Sequence, residues 1–450
     1  MKTLIHTLYK YAWHSSHFKH SKLFILIILT FSGSYTLQAQ KVLSLKECYD
    51  RAATSNALAD EKTGYSDISR LKDENLVKGW LPTLDANGSL IYNSSVLDMS
   101  SVLGSLPIPG IAGAIKPLPN EQYKVTVDVN QVIYDGGAIK GARALEKADL
   151  NVNEKQTETD LYKLRGQMNS LYFNLLLLAR QEELLNTYLE IIKKRIASIQ
   201  SGITNGVILK SDEDVLTSEK IKIEQQLAEN EIRKTTFLKI LSDLTGNEID
   251  GSTEFILPSL PGELSNELLR PELKLFDLKK EQLAAGIKVV ESKRMPKAIG
   301  FATFGYGNPP GANFFKNEFA PYYVLGASIK WNIFDWNKAK NEKQIISFQQ
   351  SIIENRKNDL TDNLKRLLES KNSEILSLKS LIESDSELIS LRKRITASSE
   401  SQYQNGTITA TEYLNELNSE RQSMINFEIH KINLSMARIE YLNICGQEIE

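Results

Sequence analysis

Apolar side chains between residues 161 and 203 fall on a heptad pattern. Leu161, Leu164, Met168, Leu171, Leu175 and Leu178 are spaced 3, 4, 3, 4, 3, and after one break at Glu182 the phase resumes at Leu185, Leu189, Ile192, Ile196, Ile199 and Ile203. That spacing predicts a coiled-coil helix. Run from 138 to 203, it would be roughly 100 Å long at 1.5 Å per residue. A second tract carries two adjacent seven-spaced rows. One is Leu360, Leu367, Leu381, Leu388 and Ile395; the other is Leu368, Ile375, Ile382 and Ile389. A stripe that wide can face two neighbours.

Elsewhere the period drops to two. Leu84, Ala86, Gly88, Leu90 and Tyr92 oppose Asp85, Asn87 and Ser89, while Tyr123, Val125, Val127 and Val129 oppose Lys124, Thr126, Asp128 and Asn130. Tyr323, Leu325, Ala327, Ile329 and Trp331 oppose Gly326, Ser328 and Lys330, and 298–306 alternates weakly but is rich in Phe, Tyr and Gly. One apolar and one polar face fits a half-buried strand, and equally a membrane-spanning strand of about 9–11 residues.

Proline sets the boundaries. The 12 prolines fall in 82–119, 258–271 and 296–321, leaving 120–257 and 322–450 without one. Proline is costly inside a helix, so these two tracts are the places for long helices. They are also copies. Ile133, Asp135, Lys140, Leu164, Ser170, Leu176, Leu178, Ala197, Ser198, Asn205, Gly206, Ile208 and Gly246 all recur 200 positions later. A duplicated helical hairpin follows, turning between Gly202 and Gly206 in the first copy and at Asn405-Gly406 in the second.

Aromatics favour a membrane over a soluble sandwich. Trp80, Trp331 and Trp336, with Tyr134, sit where strands meet helical segments, and Tyr92, Tyr123, Tyr306 and Tyr322 lie nearer the loop ends. Two such girdles mark the two interfaces of a barrel. Four strands cannot close one, since known barrels start near 8 strands and lipid tolerates no open edge. The chain is therefore expected to oligomerise, with the connections 97–120 and 307–320 as external loops.

The remaining composition mostly excludes. Of five histidines four lie in the first 20 residues, so a His-based metal or catalytic pair in the body is not expected, and two cysteines in 450 residues make no disulfide scaffold. A net charge of −2 points to no nucleic-acid partner. There is no Gly-rich phosphate loop, GxSxG or HExxH, so neither an enzyme nor a cofactor is expected. Residues 1–39 read as a secretory signal: Lys2, Lys10, Lys19 and Lys22, then the apolar run Leu23–Phe31, then small residues to Ala39, the expected cleavage point. No cysteine stands there to carry a lipid anchor.

Taken in order, Leu43-Ser44-Leu45-Lys46-Glu47-Cys48, Trp80-Leu81-Pro82 into a strand, Ile133-Tyr134-Asp135-Gly136-Gly137 out of one, the long helix and the Gly-x-Ile turn resemble the TolC-type outer-membrane efflux family. The resemblance implies a mainly α chain with a transmembrane β part. Duplicated long hairpins would build a periplasmic α-barrel, and four strands per chain a trimeric 12-stranded barrel. It divides the chain into a first repeat at 40–246 (strands 83–93 and 122–134, hairpin 138–246), an equatorial linker at 247–270, and a second repeat at 271–450 (strands 297–306 and 321–334, hairpin 337–446). It implies an exit duct in the outer membrane, with most of its mass in the periplasm. Its partners would be two further copies, a periplasmic adaptor, an inner-membrane pump or ABC exporter, and outer-membrane lipid.

Residue roles carry over from the same resemblance. The hairpin tips, with Gly206, Ile208, Ser211 and Asp212 in one and Gly406, Ile408 and Thr411 in the other, would meet the adaptor. A turn followed by Ser or Thr and an acid also fits a helix N-cap, which would account for Ser211, Asp212, Thr411 and Glu412 without any partner. Glu412 matches one of two acidic entrance positions, and Asn415 stands at the other. Tyr403 would serve in a closed-state hydrogen-bonded lock. Three copies of Glu412 would ring the axis and favour cations. The fold would also bring Cys48 and Cys445 into one belt, where a disulfide is compatible with the periplasm, although two unpaired, half-buried thiols are expected. The competing reading is a secreted coiled-coil rod without a pore.

Overall fold

The computed structural model describes residues 42–96, 117–260, 262, 264–313 and 316–449. The expected signal segment, most of the first external connection and part of the second fall outside them. In a small unit, Val42–Leu43 (β1) lies with Ser252–Glu254. β1 and Glu254–Phe255 (β4) form a two-stranded sheet.

The main unit begins with helices Leu45–Ser55 (α1) and Ala57–Lys78 (α2), then strands Thr83–Tyr92 (β2) and Glu121–Tyr134 (β3), then helices Ala138–Thr204 (α3) and Lys210–Thr245 (α4). After β4 come helix Pro271–Ser292 (α5), strands Lys297–Asn308 (β5) and Ala320–Lys330 (β6), and helices Lys338–Gln404 (α6) and Ala410–Cys445 (α7). α3 and α6 are each 67 residues long and start 200 residues apart; α4 and α7 are each 36 residues long with the same offset.

Short polar side chains start these helices. Ser44 accepts the Glu47 N–H, Asn56 accepts the Leu58 N–H, and Pro271 stands in the first turn of α5, where no N–H is needed. At the strand-to-helix joints an aspartate takes the role. Asp135 accepts the N–H groups of Gly137 and Ile139 at 2.8 and 2.6 Å, and Asp335 accepts that of Ala339 at 3.0 Å. Both members of the duplicated Ile-x-Asp motif thus satisfy helix-start donors.

α3 is the centre of the packing, touching α1, α2, α4, α5 and α7. Its heptad row is covered as expected: Met168, Leu175, Leu178, Leu185, Leu189, Ile192 and Ile199 are buried. On α6 the two rows part. Leu368 and Ile375 are buried, whereas Leu367, Leu381, Leu388 and Ile395 stay exposed on the single chain. The helix continues through Gly202, which the sequence places in the turn. Gly202 is helical, and the Ile208 side chain folds over it, leaving no room for a Cβ.

The four long strands form one antiparallel sheet in the order β2-β3-β5-β6. Register puts Asp85 opposite Asp128, Asp128 opposite Thr303, and Thr303 opposite Val324. The polar face is knitted together by Asp128, which accepts from Asn87 (2.7 Å), Thr126 (2.9 Å) and Thr303 (2.5 Å). The other face presents Leu84, Leu90, Val125, Val127, Phe304, Tyr323, Leu325 and Ile329, all exposed. β5 alternates poorly because its polar face carries Ile299, Phe301, Gly305 and Gly307, with Thr303 the one polar side chain between them. Phe301 lies over Gly326, and Tyr322 over Gly305, each ring filling the space a Cβ would take. β6 stops at Lys330, four residues before its expected end.

Candidate functional site

Both hairpin ends are closed by the same backbone turn. Gly206 and Gly406 adopt φ of +72° and +70°. Val207 N–H donates to Gly202 C=O and Gly206 N–H to Ile203 C=O; Thr407 and Gly406 repeat this on Gln402 and Tyr403. This is the glycine-terminated helix end that sequence places there. The tips diverge beyond it. In the second, Thr409 caps α7. Its hydroxyl accepts the Glu412 N–H, and the Glu412 carboxylate accepts the Thr409 N–H at 2.8 Å and its hydroxyl at 3.0 Å. The cap is thus Thr409, with Glu412 as its reciprocal partner and Thr411 between them, exposed. Those donors hold the Glu412 carboxyl below the usual glutamate range, so it stays ionised.

The first tip has Leu209 where the second has Thr409. α4 therefore starts without a side-chain cap, and neither Ser211 nor Asp212 supplies one. Val207 and Leu209 are 82% and 71% exposed. Ile208 and its counterpart Ile408 turn inward onto one apolar cluster with Leu185, Leu189, Ile192, Leu216, Tyr413 and Leu417.

Tyr403 joins that cluster. Its ring stacks on Tyr413, and Arg195 from α3 lies over both. Arg195 also pairs with Glu400. Burial, then the nearby Asp212 carboxylate, pushes the Tyr403 phenol up. Its hydroxyl is buried with no partner among the described residues. A second link joins Arg421 of α7 to Glu219 of α4 at 3.3 Å, both largely buried. Asn415 is exposed, and neighbouring Glu416 pairs with Arg392 at 3.3 Å.

Sequence reasoning singled out Tyr403 and missed Arg195, Tyr413, Glu400, Arg421 and Glu219. The signal lay in the duplication. Glu219 and Arg421 stand where the opposite copies hold Ser419 and Ile221, so the ion pair exists only between unlike repeats.

At the other end of the helices the four aromatics all lie at the same end of the strands, where strands meet helices. Tyr134 pairs in register with Ala298, Trp80 precedes β2, and Trp331 and Trp336 follow β6. The Trp331 indole N–H donates to Arg294 C=O at 3.0 Å, and Trp336, 84% exposed, meets Phe334 edge-on at 4.8 Å. Trp336 holds φ of +53°, the conformation its counterpart Gly136 adopts freely.

Cys48 and Cys445 are both unpaired and fully buried, not half-exposed. Burial pushes the Cys48 thiol to about 12 and the Cys445 thiol to about 11. Cys445 donates to Ser265 C=O at 3.3 Å. Among the described residues no group of three or more His, Cys, Asp or Glu could hold a metal, and no helix is long and apolar enough to cross a membrane.

Residues 77–247 match the family described as outer membrane efflux protein. The fold matches solved outer-membrane channels. CusC superimposes with a TM-score of 0.67 at 13% identity, over 90% of this chain and 92% of that one. The CmeC outer membrane channel of Campylobacter jejuni gives 0.64 at 14%, over 90% and 86%. The outer membrane protein VceC of Vibrio cholerae gives 0.64 at 12%, over 90% and 97%. No curated protein sequence matches.

Proposed function

We propose that this chain, whose residues 77–247 match the outer membrane efflux protein family and whose fold matches solved outer-membrane channels, assembles as three copies into an exit duct from the periplasm through the outer membrane. The observation that carries this is the sheet. It has one exposed apolar face, one polar face, and edges at β2 and β6 that pair with nothing among the described residues. Such a sheet is stable in lipid only if its edges close on other copies, and three times four strands makes a barrel of workable size. The apolar face meets lipid and the polar face, with Asp85, Asn87, Thr126 and Asp128, lines water. The uncovered α6 row of Leu367, Leu381, Leu388 and Ile395 supports side-by-side packing of hairpins from neighbouring copies.

In this reading the hairpins wall a periplasmic tunnel. Its tips, Gly206 to Asp212 and Gly406 to Thr411, meet a periplasmic adaptor, and an inner-membrane pump or exporter supplies the energy. The duct itself does no chemistry. Glu412 keeps its charge while capping α7, so three copies would favour cations at the entrance. Tyr403 and Asn415 belong to the same constriction. Trp80, Tyr134, Trp331 and Trp336 sit at the periplasmic face of the bilayer.

Planar-bilayer recording tests the duct. The purified protein is expected to form long-lived pores, and Glu412→Gln with Tyr403→Phe to raise resting conductance. Absence of pores from correctly inserted protein would contradict the duct; pores with unchanged conductance would contradict the gate alone.

A further inference from the structure

The two repeats differ at the angle between the helix that enters a strand and the helix that leaves the next one. In the first repeat Ile139 fills that angle, its side chain against the backbone of Gly79. The second repeat has Ala339 at the matching position, and a groove of about 750 Å³ opens there. Every residue lining it belongs to α5, α6 or their junctions with the strands. Its lining combines three cations, Arg294, Lys340 and Lys343, with the apolar side chains of Met295, Trp331 and Ile333. Lys343 is held by Glu291 at 2.7 Å, and Arg294 faces Asp335 at 3.8 Å. Lys340 is exposed and makes no ion pair among the described residues. The apolar lining continues the exposed sheet face through Ile329 and Trp331.

We infer that this groove holds the phosphate of an anionic phospholipid headgroup between Arg294, Lys340 and Lys343, with an acyl chain laid along Trp331, Ile333 and Ile329. The inference rests on the reading that the apolar sheet face meets lipid, which puts this groove at headgroup depth. Charge complementarity favours the phosphate, since three cations line the groove and two acids, Glu291 in the lining and Asp335 beside it, face two of them, leaving Lys340. Continuity with the sheet face favours a lipid over a free anion, because a free phosphate would leave the apolar lining of the groove unused.

The test uses full-length protein whose trimeric mass in detergent has first been established, so that failure of the duct reading is seen separately. Delipidated protein is titrated with micelles containing phosphatidylglycerol or phosphatidylcholine, and bound lipid is counted by native mass spectrometry. Wild type is expected to retain phosphatidylglycerol in preference to phosphatidylcholine. Lys340→Gln with Lys343→Gln should weaken it about tenfold or more. Ala339→Ile, which refills the angle as Ile139 does and leaves every charge in place, should weaken it similarly. Millimolar inorganic phosphate should not displace the lipid. Equal binding by wild type and both variants would overturn the proposal, and displacement by inorganic phosphate would reassign the groove to a free anion.

Discussion

Tyr403 and Tyr413 stack face to face, with ring centroids 5.5 Å apart and planes 5° from parallel. One ring comes from α6 and the other from α7, and the Arg195 guanidinium of α3 covers both at 5.9 and 5.3 Å. Three helices from two hairpins therefore meet at one cation–π sandwich. Replacing Arg195 with Ala removes the cation and strands Glu400. The expected loss is about 1–2 kcal/mol, with greater amide exchange in α6 near Tyr403 and a higher resting conductance. Arg195→Lys should recover part of it. Unchanged exchange in Arg195→Ala would show that the stack alone holds the hairpins.

The two tips give a paired test of capping. Thr409→Ala should destabilise the start of α7 by about 1 kcal/mol, and Leu209→Ser should stabilise the start of α4 by a similar amount. Hydrogen exchange over 410–414 and 210–214 reads both. Glu412 adds a pH dependence. Its carboxyl lies below the ordinary value of 4.5, so its contribution is complete above that value and is lost as pH falls through the lowered one. The exchange difference between wild type and Glu412→Gln should therefore be full at pH 7 and vanish in acid.

Cys48 and Cys445 should resist thiol reagents. With thiols pushed to about 12 and about 11, almost no thiolate exists at pH 8, and both side chains are out of reach of solvent. No rapid labelling is expected in the native protein, and two equivalents after denaturation. Rapid labelling of either in the folded protein would contradict this packing.

The two faces of the sheet should respond oppositely to charge. Leu325→Arg, at the middle of β6 on the apolar face, is expected to cost about 2–4 kcal/mol of folding into vesicles. Asn87→Arg, on the polar face, should cost far less. Urea titration of vesicle-inserted protein measures both, and equal costs would deny the sheet a lipid side.

Much of this architecture was legible because it repeats. Period two marked β2, β3 and β6, the heptad row marked the buried side of α3, and the 200-residue offset marked the hairpins. β5 was faint because Phe301 and Tyr322 cover glycines across the strand pair, a relation between strands that no single strand displays. The width of the α6 stripe was visible, but which row faces its own chain was not, since burial of Leu368 rather than Leu367 depends on where α7 lies. At the tips, Gly206 and Gly406 were readable from turn chemistry. The sequence offers Thr411 as a cap, two residues beyond the Thr409 that caps α7, because the two are chemically alike and only the helix start decides between them. The Arg421–Glu219 pair joins residues 202 positions apart on unlike repeats and has no local signature.

The central claim is that a four-stranded chain completes its barrel with two copies of itself. Multi-angle light scattering of protein extracted from outer membranes, corrected for bound detergent, measures this directly. The account predicts a protein mass three times that of the processed chain. A monomer or dimer, or protein found only in the soluble periplasmic fraction, would contradict it.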